Sequence, residues 1–210
     1  DSTKFDQGND APHKKTGELT DVFALGAKAV VGLGVAAVAG LGAATKAAAD
    51  AQGPHAQLAA VLTSTAWAAG VSADMANELA DSLSKLTPFE DEAILSGENM
   101  LLTFTSIGKD VFPRATETML DMSQALGQDL KASAIQLGKA LNDPVQGVTA
   151  LRRVGVQFSD AQVDMIKALV DSNDLLGAQT LILDELQTEF GVSAKAAGQT
   201  FSGQLTILQT

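Results

Sequence analysis

The 210-residue chain contains no cysteine and no tyrosine, one tryptophan (Trp67) and two histidines (His13 and His55). Without cysteine there is no disulfide framework, thiol nucleophile or Cys-ligated metal cluster. Two histidines are too few for a His-rich metal site. Aromatic residues are only 4% of the chain, which leaves little to stack on nucleic-acid bases. Basic residues are scarce: 14 Lys and Arg face 25 Asp and Glu, a net charge of −11. Such a chain repels DNA unless a metal ion or a separate basic face intervenes, so no specific nucleic-acid binding is expected.

Alanine is abundant, at 35 residues. It is the best helix former and allows helices to approach closely. The first 17 residues are polar and mixed in charge, with no apolar period and no secretory-signal pattern; they read as a flexible lead-in. An Asp at position 1 and an end inside the helical-looking run Thr200–Thr210 suggest a piece of a longer protein.

Between Lys28 and Lys46 lie 17 uncharged residues, Ala29–Thr45, whose run AVVGLGVAAVAGLGAA has no polar face. As a helix they would extend about 26 Å, slightly less than the roughly 30 Å of a bilayer's hydrocarbon core. Gly32, Ala36, Gly40 and Ala44 recur every fourth residue and form one small-residue stripe suited to helix packing or membrane entry. The bland alternative is a buried Ala/Gly helix in a bundle.

From Gln52 onward the punctuation is helical. Gly53-Pro54 starts a helix that Gly70 ends. Ser72 is an N-cap, with Asp74 and Glu78 near the positive end of its helix. Thr87-Pro88-Phe89-Glu90 reads as a capping box, Asp143-Pro144 as a cap with Pro at the first helical position, and Ser159–Gln162 as a second capping box. Met119, Met122 and Leu126 keep helical spacing up to Gly127, as do Val163, Ile166 and Val170, and Leu175, Ala178, Ile182, Leu186 and Phe190 up to Gly191. No run alternates convincingly, so no strand is expected. The predicted fold is all-α, with eight or nine helices of about 10–18 residues. Four stretches follow: the lead-in 1–17, the Ala/Gly-rich apolar helix 18–52, a compact multi-helix domain 53–192, and the start of a further helix, 193–210.

Candidate chemistry is thin. Glu90, Asp91 and Glu92 are better explained by the positive end of a helix than by a metal. Arg152 and Arg153 are adjacent, about 100° apart on a helix, and make a poor shared phosphate grip. Asp184 and Glu185 read as the solvated side of an amphipathic helix, His55 as a bystander and Trp67 as a core anchor. Gly32-Leu33-Gly34 lacks the strand and spacing of a dinucleotide loop, and no P-loop or Gly-x-Ser-x-Gly elbow occurs. Neither an enzyme motif nor a cofactor motif is present.

From Leu101 the run LLTFTSIGKDVFPRATETMLDMSQALGQDLKASAIQLGKALNDPVQGVTALRRVGVQFSDAQ closely resembles a region of the tail tape-measure proteins of long-tailed phages and prophages. Flanking pieces extend the resemblance over roughly residues 57–203. Its most specific part is Leu137-Gly138-Lys139-Ala140-Leu141-Asn142-Asp143-Pro144; its one departure is Val192, where a second Gly after Gly191 is expected. The resemblance implies a virion structural protein, a scaffold in the lumen of the tail tube that sets tail length. Several parallel copies would be held by tail assembly chaperones, enclosed by the tail tube protein and met by tail-tip proteins. On infection the scaffold would leave ahead of the DNA and reach the host envelope and its membrane. Two other roles stay open: a helical module that binds a tail-tip or host exclusion factor, and a membrane-inserting translocation segment.

Overall fold

A computed structural model describes residues 53–66 and 68–208. These residues all belong to one compact unit, Ala51–Thr210. The stripe Gly32, Ala36, Gly40 and Ala44 and the anchor Trp67 lie outside the described residues.

The all-α expectation holds, with no strand among the described residues. We label the helices α1 (residues 53–64), α2 (Ala73–Ser84), α3 (Asp91–Leu101), α4 (Phe112–Leu126), α5 (Leu130–Asn142), α6 (Pro144–Arg153), α7 (Asp160–Asp171), α8 (Leu175–Phe190), α9 (Ser193–Gly198) and α10 (Phe201–Ile207). Most of their ends are written locally. Ser72 caps α2 by accepting from the Met75 N–H, and Asp129 caps α5 through the Ala132 N–H. Ser159 and Gln162 cap α7 reciprocally. Gly127 ends α4 in the left-handed conformation, which Gly adopts without a Cβ clash.

Two boundaries differ from the sequence reading. α1 stops at residue 64, before Gly70. The Thr63, Ser64 and Thr65 hydroxyls donate to the carbonyls of Ala59 and Val61, and Ala66 turns to φ 50. Such hydroxyls offer carbonyls an alternative partner and loosen a helix end. The Thr87–Glu90 capping box does not form. The Thr87 hydroxyl donates back to the Leu83 carbonyl, 2.8 Å away, closing the end of α2. The next helix starts only at Asp91, and its N-cap Glu90 makes no side-chain cap bond.

α3 is the central helix, packed on α2, α4 and α5. Ile94, Leu95, Gly97 and Leu101 are buried on several of its sides. α5 turns into α6, α7 and α8 pair as a hairpin, and α8 and α9 both lie on α4. The core is mostly aliphatic, drawn from Leu58 and Leu62 of α1 through Met119 and Leu137 to Ile182 and Leu186 of α8, with Phe112 and Phe158 buried among them.

Candidate functional site

The family-like run Leu137–Pro144 forms the corner between α5 and α6. Leu137, Ala140 and Leu141 are fully buried. Gly138 lies under the Phe104 ring, where an added Cβ would come within 2.2 Å of ring carbons. Ala140 meets Gly147 across the corner so closely that a Cβ on Gly147 would lie 2.4 Å from the Ala140 Cα. Asp143 closes one helix and opens the next. Its N–H donates to the Lys139 carbonyl, and its carboxylate accepts from the Gln146 N–H at 3.2 Å. Pro144 takes the first helical position of α6, where no N–H is needed. Lys139 and Asn142 are exposed.

A buried amide ties this corner to the rest. Gln179 of α8, 2% exposed, donates from Nε2 to the carbonyls of Ser106 (2.8 Å) and Leu141 (2.9 Å). It thereby satisfies two carbonyls left over at helix and loop ends. Ala178–Gln179 belongs to the family-like stretch, but nothing in the sequence assigns Gln179 a role, because both partners are distant along the chain.

The other candidates are spread out. Asp91 and Glu92 share a hydrogen bond that pulls the Asp91 carboxyl down and pushes the Glu92 carboxyl up. No group of three or more potential metal ligands exists among the described residues. Arg152 donates to the Phe158 carbonyl and sits 3.7 Å from Asp160, so it serves the turn into α7, while Arg153 is exposed. His55 is exposed. Asp184 and Glu185 are more than a solvated face: Asp184 accepts from Arg114 of α4 at 2.5 Å, and Glu185 accepts from Gln162 of α7.

Sequence reasoning missed two further groups. Glu98 of α3 is fully buried, and neither carboxyl oxygen has a hydrogen-bond partner. Burial pushes its pKa up to about 9; the nearby Thr116 hydroxyl opposes this weakly and is itself without a partner of good geometry. The available signal was spacing, since Glu98 lies four residues after Ile94 and three before Leu101, on an apolar face. Asp121 of α4 reaches across to the chain after α8 and accepts from the N–H groups of Val192 (3.2 Å) and Ala194 (2.9 Å). Burial raises its pKa, and those two N–H groups and Lys195 oppose the rise.

The site therefore defines a helical packing protein. Its family-like residues are spent on caps and close helix contacts. The profile of the prophage tail length tape measure protein family matches residues 16–169, well over half of the chain, and the chain belongs to that family. No curated protein matches the chain, and no solved structure does. Membership places the protein in the phage tail, in a structural family concerned with tail length, among the partners of tail assembly.

Proposed function

We propose that this chain is a segment of the scaffold that sets tail length in the lumen of the tail tube and leaves during infection to aid DNA delivery. The observation that carries this reading is the family match over residues 16–169. Its most specific run, Leu137–Pro144, contributes buried apolar side chains, two exposed polar ones and a shared cap, with no group set up for reaction. The partners proposed are further copies of the chain, the tail tube protein, assembly chaperones and tail-tip proteins. Net charge −11 would let DNA pass without adhering.

An in-frame deletion of residues 53–192 in the parent phage, followed by electron microscopy of the tails, tests the measuring role. Laid out in the tube as extended helix rather than as the packed bundle, this stretch spans 1.5 Å per residue, so tails shorter by roughly 200 Å are expected. Tails of unchanged length would remove this segment from the measuring scaffold.

The uncharged segment Ala29–Thr45 favours a second step, contact with the host membrane during delivery. A Lys28–Lys46 peptide is expected to enter bilayers and become helical there. A peptide that stays in water as coil would exclude that step.

A further inference from the structure

The chain after α8 is docked in an unusual way. α9 has no cap of its own: its N-cap is Val192, whose side chain has no hydrogen-bonding atom. The cap comes from another helix, through the Asp121 carboxylate. Lys195 adds an ion pair to Glu117 at 2.8 Å. Ala194 is buried, and with Lys195 it borders a small gap whose body side is Leu83, Thr87, Glu117, Leu120 and Asp121. At its far end Gly198 lies against α2's exit, where an added Cβ would be 2.4 Å from the Leu86 carbonyl oxygen.

Apart from the Val192 N–H bond to Asp121, these contacts lie beyond a hinge of two residues, Gly191 and Val192. Val192 sits at φ 62, in the left-handed region, which a β-branched side chain strongly disfavours. The residue is 67% exposed, so packing returns little for that strain. The hinge is thus short and strained, and the arm beyond it has a seat of its own.

We propose that this arm, beginning at Ser193, exchanges between copies of the chain, one copy's α9 occupying the Glu117–Asp121 seat of another. Every docking contact made from Ser193 onward survives the exchange because the seat is the same in each copy. Only the hinge changes, and Val192 is released from the left-handed region. Short strained hinges with a self-contained arm are the setting in which swapping between identical chains arises.

The absence of cysteine makes the test clean. Full-length chains carrying Glu117→Cys alone and Lys195→Cys alone are mixed, refolded together at high concentration and oxidised. A disulfide-linked heterodimer is expected by mass spectrometry. Val192→Gly, placed in both chains, is expected to lower its yield several-fold. A chain carrying both substitutions, oxidised when dilute, is expected to close internally and so report an intact seat. Leu83→Cys paired with Ala194→Cys reads the same seat without removing the ion pair. Single-cysteine mixtures that stay unlinked with both pairs would overturn the proposal. So would inter-chain linkage that Val192→Gly leaves unchanged, because association would then run through another segment.

Discussion

Two neighbouring regions treat their buried polar groups in opposite ways. At the α5–α6 corner the Leu141 carbonyl is taken by Gln179, and Asp143 caps α6. At the seam between α3 and α4 the Glu98 carboxyl and the Thr116 hydroxyl are buried with no partner of good geometry. The corner is made of groups whose hydrogen bonds are satisfied nearby. The seam carries an acid that stays folded comfortably only with its proton on.

That contrast is sharpest under pH change. Glu98 ionises near about 4.3 in the unfolded chain but only at about 9 when folded. The folded state therefore keeps a proton that the unfolded chain has released. The stability held by the protonated Glu98 is full below about pH 4.3 and falls roughly tenfold in folded-to-unfolded ratio per pH unit above it. It levels off above about 9. The loss by pH 7 is roughly 4 kcal/mol. Urea titrations by circular dichroism from pH 5 to 9 are expected to show this slope, and Glu98→Gln to flatten it. Equal slopes for the two proteins would erase the distinction between seam and corner.

Next in size is the close contact inside the corner. Gly147→Ala raises helix propensity by about 1 kcal/mol, yet its Cβ would meet backbone at Ala140. Overpacking is expected to win, with a net loss of about 2 kcal/mol in the urea midpoint analysis. A gain in stability would mean that the two helices can part without cost. Gln179→Ala removes two donors from buried carbonyls and is expected to cost about 2 kcal/mol; a loss below about 0.5 kcal/mol would show that those carbonyls find other partners. The smallest effect belongs to the hinge. Val192→Gly is expected to raise stability by about 1 kcal/mol, as left-handed strain is relieved and only partly offset by the entropy of Gly. A thermal melt of the two proteins decides its sign.

The parts of the fold that were legible in the sequence are those where a side chain bonds its own neighbourhood. Ser72, Asp143 and the Ser159–Gln162 pair cap the helices that follow them, and Gly127 and Gly191 end helices where the periodicity stops. Thr87 misled because one hydroxyl can serve either of two adjacent helices, and it closes α2. The long-range partners were not legible. Gln179 to Ser106, Asp121 to Ala194 and Arg114 to Asp184 span 70 or more residues each. Nothing in the spacing of polar residues specifies such pairs; tertiary packing selects them. The same holds for the candidate site. The family-like run marked where α5 meets α6, and only the three-dimensional arrangement revealed what it touches.

One residue at that corner has a mechanical consequence. Asp143 is both the C-cap of one helix and the N-cap of the next, so a single residue separates the two rods. Tension along α5 is handed directly to α6, and the joint has no spare length to release before its hydrogen bonds must break. The connection between α3 and α4 is longer, but it is anchored by buried Leu102, Ile107 and Val111 and by the Ser106 carbonyl on Gln179, so only its exposed residues can lengthen before the core is disturbed.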